Sequence, residues 1–170
     1  MIVGEQPGDE EDLAGQPFVG PAGRLLNELL DKAGIARSDV YVTNAVKHFK
    51  FERRGKRRLH ERPNSQEIRA CRAWLMAEVA AVKPELILCL GATAAQSFCG
   101  PTFRITRDRG KPMSTPWADW FMATYHPSAL LRASDEPARE RMERELLADL
   151  MQTRERLREI AQPSSPDSEE

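Results

Sequence analysis

Two hydrophobic periods alternate along the 170 residues of this chain. Short runs of continuous apolar character, "MIV", "DVYVTNAV", "ELILCL" and "WFMATYHP", read as strands, and "ELILCL" as one buried on both faces. Between them apolar residues fall at helical spacing. "GPAGRLLNELLDKAGI" places Leu25, Leu26, Leu29, Leu30 and Ala33 on one face, with Pro21 in the first turn and Gly34 at the C-terminal cap. Asn64 followed by Glu67 is a capping box that opens a helix running to Lys83-Pro84. "GATAAQSFCG" reads as a short helix, and a long one from Glu136 turns Met142, Leu146, Leu150, Leu157 and Ile160 inward. Residues 101–120 read as irregular, with short strands around a turn at Gly110, and 162–170 as a disordered tail. Strands alternating with helices predict one α/β domain over residues 1–161. Its expected form is a three-layer α/β/α arrangement around a mainly parallel four-stranded central sheet.

In such a sheet ligands bind beyond the carboxyl ends of the strands. The residues just past the four predicted ends are Gly4 to Gly8, Asn44 with the loop after it, Gly91, and His126-Pro127-Ser128. The unusual residues of the chain therefore converge on one edge. "GEQPG" is neither G-x-G-x-x-G nor a Walker A loop, and Glu5, Asp9, Glu10, Glu11 and Asp12 would repel a pyrophosphate. Carboxylates on a tight turn suit a developing positive charge or a positioned water, although a surface turn with incidental acids has the same composition.

Charge sharpens this picture. The net charge of −1 conceals a segregation, because residues 47–62, "KHFKFERRGKRRLHER", hold eight Lys or Arg against two Glu. A basic loop on a near-neutral domain fits either a phosphate-backbone contact or a merely solvated surface. No apolar run reaches the roughly 18 to 20 residues of a membrane span, and no signal or transit peptide is visible, so a cytoplasmic monomer is expected. Cys71, Cys89 and Cys99 are too few and too irregular for a disulfide framework; Cys89 and Cys99 read as small buried hydrophobes.

"GEQPGDEEDLAGQPFVGPAGRLL", "YVTNAVKH", "GKRRLH", "ACRAWL" and "YHPSALLR", in this order and over about residues 2–150, resemble the uracil-DNA glycosylase superfamily. The "KRRLH" segment resembles the UdgX branch, which is related to the iron-sulfur family-4 enzymes. The resemblance implies excision of uracil from DNA, single-stranded DNA being the preferred form. Phe18 would stack on the flipped base, with a core phenylalanine as the alternative, and Asn44 would read the uracil edge. His126 would donate to the oxygen on which the leaving anion gathers charge, and Ser128 would take a nearby phosphate. Lys56, Arg57 and Arg58 would contact the DNA backbone.

Glu5 would act on the sugar side. In the UdgX branch the histidine matched by His60 attacks the anomeric carbon and stays bonded to DNA, with Gln6 orienting the imidazole and Asp9 supporting the loop. Two other outcomes stay open: a conventional glycosylase that turns over, and an inactive nucleic-acid-binding module. The family-4 likeness also implies a [4Fe-4S] cluster, for which His48 and Cys71 match the last two ligands. The first two are expected in a leader preceding "MIVGEQPG", which is missing from the chain.

Overall fold

The computed structural model describes residues 1–162. The tail expected over 162–170 lies, beyond Gln162, outside the described residues. A five-stranded sheet organises the rest, built from β1 (Ile2–Gly4), β2 (Val42–Asn44), β5 (Leu86–Leu90), β6 (Met113–Thr115) and β7 (Ala118–Thr124) in the order β2-β1-β5-β7-β6. The four strands expected from the sequence are all parallel, with Gly4 level with Asn44 and Leu90 level with Thr124. The difference from expectation is the fifth strand. β6 pairs antiparallel with β7 at the edge, where it needs only one polar-tolerant face, so its residues carry no buried apolar run.

Helices α2 (Pro21–Ala33), α6 (Pro127–Leu131) and α7 (Glu136–Ala161) cover one face of the sheet, and α3 (Ser65–Val82) with α4 (Ala92–Cys99) covers the other. Side chains alternate across a strand. Ile2, Leu88, Leu90 and Met122 therefore meet Leu26, Leu29, Leu30, Leu146 and Leu150, while Val3, Ile87, Cys89 and Phe121 meet Leu75, Val79, Ala95 and Phe98. This two-sided burial is why β5 is apolar at every position. The chain steps from β1 outward to β2, then returns past β1 to β5. Right-handed crossovers then put α2 and α3 on opposite faces and open a crevice at the ends of β1 and β5.

Two segments differ from their expected form. The basic loop is a hairpin of β3 (Phe51–Arg54) and β4 (Arg57–His60), turned at Gly55 with a φ of 59°. Its strands escape a hydrophobic reading because all but Arg58 are exposed. Within the opening acidic stretch lies a six-residue helix, α1 (Asp9–Ala14), whose first turn holds Asp9, Glu10, Glu11 and Asp12 against the positive end of the helix dipole. A further short helix, α5 (Ile105–Asp108), occupies part of the region read as irregular.

Between α1 and α2 the chain makes a close approach that decides where Phe18 lies. Phe18 has a left-handed φ of 58°, and its carbonyl sits where a Cβ on Gly23 would be only 1.8 Å away. Alanine improves intrinsic helix propensity over glycine by about 1 kcal/mol. A backbone overlap cannot be relieved by a side-chain rotation, so strain wins. Gly23→Ala is expected to destabilise the protein by about 2–3 kcal/mol, read as a lower urea midpoint. An unchanged or raised midpoint would contradict the packing described.

Candidate active site

The ends of β1, β2, β5 and β7 open into a cleft of about 720 Å³. Its floor is an aromatic ring beside an amide. Both lie over Gly4, where an added Cβ would stand 2.4 Å from Asn44 Oδ1 and 2.6 Å from Phe18 Cζ. Phe18 is therefore a core residue and a site residue at once: it is 7% exposed, packs among the α2-side cluster, and stacks on His126 with ring centroids 5.7 Å apart. Asn44 is buried, and its Oδ1 has no hydrogen-bond partner. An unsatisfied buried acceptor costs about 1–3 kcal/mol. A ligand N–H donor would recover that cost.

His126 is the N-cap of α6, and its ring is fixed by that role. Nδ1 accepts the backbone N–H of Ser128 at 3.1 Å and lies 2.8 Å from Ser128 Oγ. With Nδ1 accepting, the proton of the neutral ring is on Nε2, which makes that nitrogen a donor. Burial, opposed only in part by the Glu5 carboxylate, lowers the His126 pKa to about 4, so the ring is neutral at pH 7. Ser128 departs from expectation here. Its backbone N–H and its hydroxyl are both engaged with His126, which leaves the N–H no part in holding a phosphate.

Glu5 follows β1 directly and lies between α4 and the hairpin. Oε1 is 3.3 Å from His60 Nε2, Oε2 accepts the hydroxyl of Thr93, and Arg62 Nε is 4.0 Å from Oε2. Burial pushes the carboxyl pKa up, but the hydrogen bonds from His60 and Thr93 outweigh it and hold the group below the usual carboxylate range. His60 ends β4 with its side chain 46% exposed, at the mouth of the cleft.

The hairpin that carries His60 is docked by residues to which the sequence suggested other roles. Gln6, expected on the imidazole, instead clasps the hairpin's open end. Its Nε2 donates to Glu61 O at 2.9 Å and Lys50 O at 3.4 Å, and its Oε1 accepts from Lys50 N at 3.3 Å. Arg58, expected on DNA phosphate, pairs with Asp9 and, at 2.6 Å, with Asp12, and lies over the rings of Phe49 and Phe51. Both carboxylates are already on its guanidinium, so it acts as a strut between the hairpin and α1. Asp9 holds the hairpin through its ion pair with Arg58. Lys56 and Arg57 stand exposed at the hairpin tip.

His48 is exposed and Cys71 buried, and Cys71 Sγ accepts the N–H of Lys47 at 3.4 Å, next to His48. Among the described residues there is no group of three or more side chains able to hold a metal ion. Two donors do not by themselves hold a four-iron cluster. No helix of the described residues is long and apolar enough to cross a membrane.

Thr93 and Glu11 were not singled out from the sequence. Thr93 stands two residues past Gly91, which the strand-end rule had already marked. Glu11 bridges Gly8 N at 3.1 Å and Gly20 N at 3.0 Å, closing the loop that presents Phe18. No periodic signal distinguishes it from its acidic neighbours.

Sequence comparison agrees with this geometry. The model of the uracil DNA glycosylase superfamily matches residues 1–151. A type-4 uracil-DNA glycosylase of Thermotoga maritima is 43% identical over 133 residues, covering 78% of this chain and 66% of the relative. That of Archaeoglobus fulgidus is 39% identical over 139 residues (77% and 66%), and that of Pyrobaculum aerophilum 37% over 139 residues (78% and 67%). The chain thus spans about two thirds of the length of these curated relatives. With its parallel sheet, its strand-end cleft and a family match over most of its length, the chain belongs to the uracil DNA glycosylase superfamily.

Proposed function

We propose that this protein excises uracil from DNA and is captured on it through a bond from His60 to the anomeric carbon. The observation that carries the first half is the buried, unpartnered Oδ1 of Asn44 beside the Phe18 ring. Uracil offers an N–H between two carbonyls, and an amide presents both an acceptor and donors to that edge. Cytosine has an acceptor where Asn44 needs a donor. A base can reach this floor only after leaving the stack, and stacking on Phe18 offsets part of that cost.

The bond between C1′ and N1 then breaks with its electron pair leaving on the base. His126 Nε2–H donates to the base oxygen that gathers charge, and the Glu5 carboxylate faces the cationic sugar. The His60–Glu5 contact supports the second half. One ring nitrogen of His60 gives its lone pair to C1′, and the proton of the other passes through Glu5 toward the departing uracil anion, which leaves as neutral uracil. The product is an N-alkyl imidazole, a poor leaving group, so the protein stays attached. Lys56 and Arg57 are suited to flanking phosphates, and the extruded base favours a single-stranded substrate bound by one copy of the chain. A [4Fe-4S] cluster at His48 and Cys71 belongs to the same reading, would need two further thiolates, and would appear as visible absorption of anaerobically purified protein.

A uracil-containing single-stranded oligonucleotide, incubated with the protein and run on a denaturing gel, is the test. A shifted band that survives denaturation is expected, and His60→Ser should reduce it by about 100-fold or more. Abasic product without a shifted band would keep excision and overturn the His60 bond. Neither product would overturn the whole reading.

His126 must be neutral to keep Nδ1 as acceptor and Nε2 as donor, which links the site to pH. Its folded pKa of about 4 lies below the ordinary value of 6.5, so the unfolded chain takes up a proton first as pH falls. Stability attributable to His126 is complete above pH 6.5 and is lost progressively toward pH 4. The loss amounts to ~3 kcal/mol at most. Urea titrations at pH 7 and pH 4 should show a larger acid-induced loss for the wild type than for His126→Gln; equal losses would refute the buried neutral ring.

A further inference from the structure

We propose that Thr93 is a positioning residue for the reacting pair: its buried hydroxyl takes Oε2 of Glu5 and so turns Oε1 toward the ring of His60. The inference rests on the reading of this cleft as a uracil-excising site. A glutamate has three side-chain torsions, and nothing in β1 itself determines which way its carboxylate faces.

The groups that face Glu5 come from three elements besides its own. His60 and Arg62 approach from the hairpin and the segment after it, with side chains 46% and 64% exposed. His126 approaches from the end of β7 and is neutral at pH 7. Thr93 approaches from α4 and differs from all of these. It is 1% exposed, its carbonyl accepts the Ser97 hydroxyl at 2.9 Å, and its helix is pinned in the core by Ala94, Ala95 and Phe98. At 1% exposure the Thr93 side chain has no room to change rotamer without disturbing its neighbours. The hydroxyl is therefore a fixed donor, and His60 on its surface hairpin meets a carboxylate already oriented from the other side.

The same bond bears on charge. Burial acts to neutralise Glu5, and the hydrogen bonds from His60 and Thr93 hold it ionised. As the imidazole proton passes to Oε1 of Glu5, the Thr93 bond on Oε2 is the one that stays in place. Only an ionised Glu5 can accept the imidazole proton.

Thr93→Val keeps the shape and removes the donor; Thr93→Ser keeps the donor. The Glu5 carboxyl is titrated by carbon-13 NMR in DNA-free protein, and uracil release plus adduct formation is followed under single turnover across pH. In Thr93→Val the Glu5 midpoint should rise, and the chemical step should slow ~10–100-fold with unchanged oligonucleotide affinity and its acid limb moved to higher pH. Thr93→Ser should restore both. A Glu5 midpoint unmoved in Thr93→Val, or a serine variant no better than valine, would overturn the proposal. If the valine variant does not fold, Thr93→Ala is read in the same titration. Wild-type protein that releases no uracil and forms no adduct would defeat the reading of the site, and the titration would still decide whether Thr93 holds the carboxylate. A moved midpoint with an unslowed chemical step would defeat the positioning role alone.

Discussion

A carboxylate partly withdrawn from water at the end of β1 is the constraint from which the rest of this site follows. Ionised groups taken out of solvent are costly unless paired and hydrogen-bonded. Glu5 meets that requirement with one oxygen on Thr93 and the other on His60. The first partner needs α4 to begin immediately beside β1, which the return of the chain from β2 past β1 to β5 supplies. The second needs a hairpin held down over the strand ends, and Gln6 and the Arg58 strut supply that. Two residues adjacent in sequence thus divide the work: Glu5 lines the cleft, and Gln6 secures the hairpin that brings His60 to it.

Charge along the hairpin is divided in the same way. Arg58 points back to Asp9 and Asp12, lies over two aromatic rings, and has a side chain only 19% exposed. Lys56 and Arg57 point outward. Asp9 and Asp12 neutralise Arg58 and tie the hairpin to α1. The acidic opening stretch neutralises the cation that docks the hairpin.

Rigid and exposed parts of the site are distributed according to what each must do. Phe18 on the loop before α2, Asn44 at the end of β2 and His126 at the start of α6 are held against the core, where the bare backbones of Gly4 and Gly23 allow ring, amide and chain to close up with no room to spare. A flat ligand ring would gain from this preorganisation. His60 is instead carried on a two-stranded hairpin outside the main sheet, where its ring can shift without disturbing the core.

The sequence by itself determined the four parallel strands, the helices between them and the edge on which Glu5, Asn44 and His126 would meet. These follow from local periodicity and from the fixed hand of the crossovers, both of which are written in a single segment or a pair of neighbours. The caps at Gly34 and Asn64 were legible for the same reason. The hairpin was not, because strands exposed on nearly every residue carry no apolar alternation; a short strand after Gly110 was expected, but not its place at the edge of the sheet. What only the tertiary structure decided was which polar atom each side chain would reach. Gln6 to the hairpin backbone, Arg58 to α1, Ser128 to the His126 ring and Thr93 to Glu5 are pairings made by the approach of separate elements. Composition and spacing name the donors and acceptors, but a hydrogen bond forms only within about 3 Å, and distances of that order between remote residues come into being only when the sheet has closed.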